Sequence, residues 1–191
     1  MKIETIEIAG LAGALTALRL PFGKEVRSTI TGKTDSFIAK NNTTGERTYF
    51  IVWNGSVDIN NNDLTLMQTL VKRGDEHAKV VRGIMVWAKI TAPVYFWAEA
   101  ECYRAGHERL ASESTMHIDC KGLTGQELQE AKASIPMGKE LTKVDMFSYQ
   151  TLRRIVAQRH NHRLPEWHQF IAWIKTLPLA EELILVGLEI K

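Results

Sequence analysis

Apolar residues recur along this chain with two periods, and the changes from one to the other mark the expected elements. Lys2 to Ile8 alternates, with Ile3 and Ile8 at apolar positions, and predicts a first strand; Leu11 to Leu20 predicts a short helix closed by Pro21 and Gly23. Ser36 to Lys40 and Arg47 to Trp53 read as the arms of a hairpin inserted at Lys33 to Asn54. Its turn, Asn41-Asn42-Thr43-Thr44-Gly45, holds residues that tolerate positive φ. Asn60 to Asp63 offers an N-cap to a helix with Leu64, Met67, Leu70 and Val71 on one face, ending near Arg73-Gly74.

The middle of the chain organises the rest. Ile84 to Ile90 reads as an apolar strand that breaks at Ala92-Pro93, and Pro93 suits the first position of a helix running to Ala105-Gly106. Phe96, Ala100 and Tyr103 fall on one helix face, and Trp97, Glu101, Arg104 and Glu108 on another, so Arg104 lies beside Glu101. A polar loop is expected next, holding His107, Glu108, Arg109, Ser112, Glu113, Ser114 and His117. Strand, proline, helix and a donor-rich loop is how a rigid scaffold presents a site.

Further on, Thr124 opens a short helix over Gly125 to Ala133, and Ser134 to Lys143 reads as a loop. Asp145 to His160 predicts a helix whose stripe of Tyr149, Leu152, Ile155 and Val156 is continued by Arg159; an inward arginine needs a partner, because an unpaired buried charge is prohibitive. Pro165 restarts a helix with Trp167, Phe170, Ile171, Ile174 and Leu177 inward, closed by Pro178. The tail from Glu182 to Ile190 fits either an edge strand or a helical turn docked on a partner subunit. The whole, residues 1–191, reads as one α+β domain with a mixed or antiparallel sheet and several helices.

Composition narrows the function classes. With 191 residues, 45% hydrophobic and 24% charged, the chain is expected to bury one substantial core. A formal net charge of +2 is too small to argue for nucleic acid or an anionic membrane. No apolar run approaches the ~20 residues that span a bilayer, and MKIETIEIAG is unlike a signal peptide, so a cytoplasmic location is expected. Cys102 and Cys120 show no paired or metal spacing and are expected as free thiols, Cys102 packing among core aromatics. His117, Asp119 and Cys120, like His160, His162 and His168, lack metal-ligand spacing, so no metal is expected. There is no G-x-S-x-G elbow and no glycine-rich phosphate loop. The densest positive patch is Arg153, Arg154, Arg159, His160, His162 and Arg163. It is a solvated helix end, a holder for the phosphate of a small nucleotide, or a contact for a nucleic-acid backbone.

Several segments together resemble the flavin-dependent thymidylate synthases, most nearly the divergent members carried by bacteriophages. Ala17-Leu18-Arg19-Leu20-Pro21-Phe22 resembles the family's early arginine-containing helix end. LMQTLVKRG, Leu66 to Gly74, followed by Glu76-His77, resembles its helix and acidic-histidine segment, and Ile90-Thr91-Ala92-Pro93 its strand-to-helix step. The family signature is R-H-R, seven residues, then S-x-R. Here Arg104 and Ser114 keep the spacing, while Ala105 and Gly106 replace the histidine and second arginine and Met116 replaces the last arginine. Thr151-Leu152 and Arg159 match a later pattern whose arginine contacts the pyrimidine.

The resemblance implies binding of dUMP and FAD, with methylenetetrahydrofolate and NADPH as co-substrates, a methyltransferase reaction in nucleotide biosynthesis, and active sites formed between subunits of a homotetramer. It implies Arg104, Ser114, His117 and Arg159 on the nucleotide side, with Arg159 and Ser114 catalytic. Glu76, His77, Arg104, His107 and Arg109 are implied on the flavin side. It also explains the missing nucleophile, since the flavin would carry the chemistry and the protein would bind, orient and polarise. A homologue that binds nucleotide or nucleic acid without this catalysis is the alternative.

Overall fold

The computed structural model describes residues 1–40 and 47–190. Its sheet has four strands in the order β1-β4-β6-β5: β1 (Lys2–Ala9), β4 (Met85–Pro93), β5 (His107–Ser112) and β6 (Glu140–Ser148), all paired antiparallel. A separate two-stranded ribbon is formed by β2 (Thr29–Lys40) and β3 (Arg47–Asp58), with longer arms than expected; the turn at 41–46 lies outside the described residues. The helices are α1 (Leu11–Leu18), α2 (Asn61–Lys72), α3 (Lys79–Arg82), α4 (Val94–Ala100), α5 (Thr115–Ile118), α6 (Gly125–Ala133), α7 (Tyr149–Arg159) and α8 (Pro165–Lys175). This is an α+β arrangement with an antiparallel sheet.

β4 and β6 form the spine. Val86, Ala88, Ile90 and Ala92 alternate along β4 and are fully buried, which is what a strand covered on one face requires. The antiparallel register sets Met85 opposite Ser148 and Pro93 opposite Glu140. Against this face pack Leu152, Ile155 and Val156 of α7 and Trp167, Phe170, Ile171 and Ile174 of α8, as their spacing predicted. The core is aromatic: Phe96 lies 4.7 Å from Trp167, and Phe170 lies 5.1 Å from Trp173.

Several expectations are corrected. Glu140 to Ser148 is a strand and α7 starts only at Tyr149, with Ser148 as N-cap accepting from Thr151 N at 3.1 Å. His107 to Ser112 is an edge strand rather than a loop, because its backbone completes the ladder of β6. α4 ends at Ala100, and Pro93 is both the last residue of β4 and the helix N-cap. The tail forms a π-helical segment, Ala180–Leu185, buried in its own chain; Arg153 Nη1 fixes it through Ile184 O and Val186 O, both at 2.7 Å. Cys102 is exposed, and Cys120 is the buried thiol. Among the described residues no helix is long and apolar enough to cross a membrane.

The α2 N-terminus carries a second surprise. Asp63, which the spacing offers as part of a cap, is fully buried and accepts from Arg19 Nε at 2.6 Å, Ser28 Oγ at 2.7 Å and the backbone N–H groups of Arg27 and Ser28. Burial pushes its carboxyl up, but the donors from Ser28, Arg19 and Arg27 outweigh this and hold it below the usual range. The folded state therefore binds that proton less readily than the unfolded chain. Its stabilisation is present above the unfolded value of about 3.9 and is lost as pH falls through the lower folded value. Asp63→Asn is expected to lower stability fully at pH 6, with the difference from the native chain shrinking below about pH 4, as measured by urea denaturation across that range.

Candidate functional site

α7 delivers Arg159 to the surface at its last turn, where its guanidinium meets three acceptors from the end of α4 and the turn that follows it. Nε donates to Tyr103 Oη at 2.9 Å, Nη1 to Glu99 Oε2 at 3.1 Å and Nη2 to Cys102 Sγ at 3.7 Å. The group lies over the Trp167 ring, 4.8 Å from its centroid, and Tyr103 lies at 5.7 Å. Glu99 Oε2 also accepts from Trp167 Nε1 at 2.9 Å, and His162 Nε2 stands 3.3 Å away. Burial works against the Arg159 charge, but the bonds to Tyr103 and Cys102 and the field of Glu99 raise its pKa above the ordinary value. A guanidinium has five N–H donors. Three are engaged here, which leaves one on each terminal nitrogen for a ligand.

Tyr103 and Cys102 also line a cleft of about 320 Å³ with Arg104, Ala105, Thr151, Arg154 and Gln158. Arg104 is exposed, and its Nε donates to the Glu101 carbonyl at 3.3 Å. The expected Arg104–Glu101 ion pair is replaced, since the Glu101 carboxylate bonds Arg109. Arg104 lines this cleft, and Arg159 adjoins it through its bonds to the lining residues Tyr103 and Cys102. The cleft floor is tightly made: Ser148 N donates to Gly106 O at 2.7 Å and Thr151 Oγ1 to Ala105 O at 2.6 Å.

Gly106 is locked in that floor. Its φ is +75°, and an added Cβ would stand 2.5 Å from Ser148 Oγ and 2.6 Å from Thr151 Oγ1, two hydroxyls already committed to the α7 cap. Any side chain at this position is strained by the positive φ and displaces these two hydroxyls from the cap. Gly106→Ala is expected to cost about 1–3 kcal/mol, measured as a shift in urea midpoint at unchanged slope.

His107 and Arg109, implied on the flavin side, are spent internally. Asp145 is fully buried on β6 and accepts from His107 Nε2 at 2.9 Å and from Arg109 Nε at 3.1 Å and Nη2 at 3.3 Å. His107 also faces the Tyr103 carbonyl through Nδ1 at 2.8 Å and stacks on Phe147 at 4.4 Å. Burial lowers the Arg109 pKa, but Glu101 and Asp145 more than reverse it. Lys143 lies over Trp97 at 4.5 Å, and burial depresses its pKa.

Glu76 and His77 lie elsewhere, in a groove of about 690 Å³ between α1, the end of α2 and α3. Ala14, Leu18, Leu70 and Val80 supply apolar wall, while Arg73, Lys79 and His77 add cationic or polar groups. Ser114 and His117 sit on neither site. Ser114 is the N-cap of α5 and His117 lies within it, beyond the far end of β5 from Arg104, and six strand residues put roughly 20 Å between them and Arg104. The basic set Arg153 to Arg163 is not one face: Arg153 holds the C-terminal segment, Arg154 pairs with Asp75 at 2.6 Å, and Arg159 pairs with Glu99. Among the described residues no three His, Cys, Asp or Glu side chains stand together as a metal site.

Glu99, Tyr103, Trp167 and Asp145 were missed from the sequence. The signal for Glu99 was the inward Arg159 itself, which required an acid. Asp145 gave none, because its stretch reads as helix.

No protein-family model matches the sequence, and no curated protein matches it. In structure the chain is similar to Thymidylate Synthase X (ThyX) from Helicobacter pylori with FAD and dUMP, at TM-score 0.65 and 10% identity over 99% of this chain and 100% of that one. A second structure of the flavin-dependent enzyme from the same organism, complexed with FAD and dUMP, gives the same figures. The UMP/dUMP methylase PolB from Streptomyces cacaoi, bound with 5-Br dUMP, matches at TM-score 0.57 and 11% identity over 100% of this chain and 97% of that one. Likeness at such identity speaks for the fold alone.

Proposed function

We propose, from the premise that this chain has the fold of the flavin-dependent thymidylate synthases, that it binds a pyrimidine deoxynucleotide of the dUMP class at the Arg104–Arg159 cleft. The observation that carries this is the Arg159 guanidinium. It is fixed over Trp167 by Glu99 and Tyr103, with a donor left on each terminal nitrogen, and it adjoins through Tyr103 and Cys102 a cleft lined by a second arginine, Arg104. A planar fork held in that way suits a pyrimidine carbonyl edge or a phosphate, which accept two parallel bonds. The dUMP and 5-Br dUMP held by proteins of this fold support the same ligand class.

The groove is the place where a flavin fits. Its volume is in the range of small-molecule sites, its walls are apolar enough for a flat ring, and Arg73 and Lys79 suit the phosphates of FAD. FAD supplies electron and one-carbon transfer when bound; Glu76, His77 and the two cations would bind and orient it. On this reading the chain acts with methylenetetrahydrofolate and NADPH as a thymidylate synthase-like methyltransferase. Its copies assemble so that Ser114 and His117 of one chain, remote from its own cleft, complete a neighbour's site, and it works in the cytoplasm.

A second reading keeps the nucleotide and drops the reaction. It is favoured by Gly106, which stands at positive φ in the place of the signature's second arginine, and by His107 and Arg109, which are tied to Asp145. Absorption of the purified protein after incubation with FAD and desalting separates the two. Retained bands near ~370 and ~450 nm are expected for the flavin enzyme, whereas a colourless protein that takes up dUMP selects the homologue without catalysis.

A further inference from the structure

We propose that Asp75 is the positioning residue of the groove and that it couples the groove to the cleft. The ligands named below rest on the function proposed above; the clamp itself does not. Side chains from two elements converge on this residue. Arg82 Nη2 at 2.7 Å and Gln150 Nε2 at 3.1 Å both donate to the Asp75 carbonyl, and Arg154 Nε donates to its carboxylate at 2.6 Å. Arg82 Nε in turn donates to Gln150 Oε1 at 2.7 Å, so the clamp is closed on itself. α7 supplies Gln150 and Arg154, while the two residues that follow Asp75, Glu76 and His77, line the groove.

The Gly74–Ala78 loop is therefore held from the cleft side. Its fastenings at the carbonyl, from Arg82 and Gln150, and at the carboxylate, from Arg154, differ in strength. Gln150 is buried at 4% exposure, where a hydrogen bond is costly to break. The Arg154–Asp75 pair is 36% and 47% exposed, and such pairs contribute little and exchange readily. Arg154 also lines the cleft. A nucleotide phosphate arriving there carries more charge than one carboxylate and offers the guanidinium a better fork, so it draws Arg154 away from Asp75. The loop is then held from α7 only through the Asp75 carbonyl, by Gln150 with Arg82 beside it, and Glu76 and His77 lose the carboxylate fastening that fixes their positions along the groove. Linkage makes the effect mutual: whatever the nucleotide takes from the groove ligand, the groove ligand takes from the nucleotide.

The test uses the full chain. Hydrogen exchange of residues 74–78, where His77 N and Ala78 N bond Gly74 O at 3.1 and 3.0 Å, is followed with and without dUMP, together with FAD affinity by flavin fluorescence. In the native chain dUMP is expected to speed exchange in this loop and to weaken FAD about two- to fivefold, the range an exposed ion pair commands. Asp75→Ala is expected to show both effects without nucleotide and no further change with it, and Asp75→Glu to restore the native response. Native loop exchange in Asp75→Ala would overturn the positioning role whatever binds. Binding of dUMP with no change at 74–78 would overturn the coupling. If neither dUMP nor FAD binds, the coupling and the proposed function fall together, and the exchange rates of Asp75→Ala still decide the positioning role.

Discussion

Arg159→Ala is expected to weaken dUMP binding by about 2–4 kcal/mol, roughly thirty- to a thousandfold, because it removes the charged donors proposed to hold the nucleotide beside the cleft. The effect is large because the group is prepared in advance. Tyr103, Glu99 and Cys102 each take one donor and Trp167 supports the plane, so little side-chain freedom remains to be lost on binding. Arg159→Lys is expected to recover only part of the loss, since an ammonium cannot reproduce the fork. Arg163→Ala, exposed before α8, serves as control and should leave affinity unchanged. Calorimetric titration with dUMP reads all three variants. Equal affinity in Arg159→Ala and the native chain would remove Arg159 from the site.

The largest loss of stability is expected at Asp145. It is fully buried and is the shared acceptor of His107 and Arg109, which lie on the edge strand β5. Asp145→Ala leaves the buried His107 and the part-buried Arg109 without their shared acid, and breaking a buried ion pair from one side costs about 3–5 kcal/mol. Arg109 keeps Glu101, which is half exposed and a weaker partner, while His107 keeps only the Tyr103 carbonyl. Urea denaturation measures the change. Hydrogen exchange should show β5 opening before β4, because its attachment to β6 depends on these contacts and on one ladder alone. A stability change under about 1 kcal/mol would contradict this account of the cluster.

The same residues explain how much of the fold was legible. α7 and α8 were readable because their inward positions are apolar: Leu152, Ile155, Phe170 and Ile174 recur at helical spacing and are all buried. β6 was hidden because its inward positions include Lys143 and Asp145, and β5 because its own include His107 and Arg109. A strand whose inner face carries an ion cluster inverts the pattern of hydrophobic-in and polar-out. That misreading extended α7 backward through Asp145 and turned β5 into a loop. The fold was nonetheless reachable, since the spacing of Arg104, Ser114 and Arg159 and the Ala92-Pro93 step resembled the flavin-dependent thymidylate synthases, and the structure has that fold.

The candidate site was legible one residue at a time. Arg159 declared itself as an arginine on an inward stripe, and Arg104 through its place in the signature. The nearness of Arg159 to the cleft that Arg104 lines depends on Tyr103 and on the Gly106 turn against the α7 cap, which are tertiary facts. Glu76 and His77 were grouped with Arg104 by the resemblance, whereas within one chain they line a groove on the other side of the Asp75 clamp.

The most direct test of the central claim is a calorimetric titration of the full chain with dUMP, carried out beside an identical titration with deoxyuridine. Saturable binding of dUMP, weakened strongly when the phosphate is missing and weakened at least about thirtyfold in Arg159→Ala, is the expected result. No heat with dUMP, or equal binding of dUMP by the Arg159→Ala variant, would contradict a nucleotide site at this cleft.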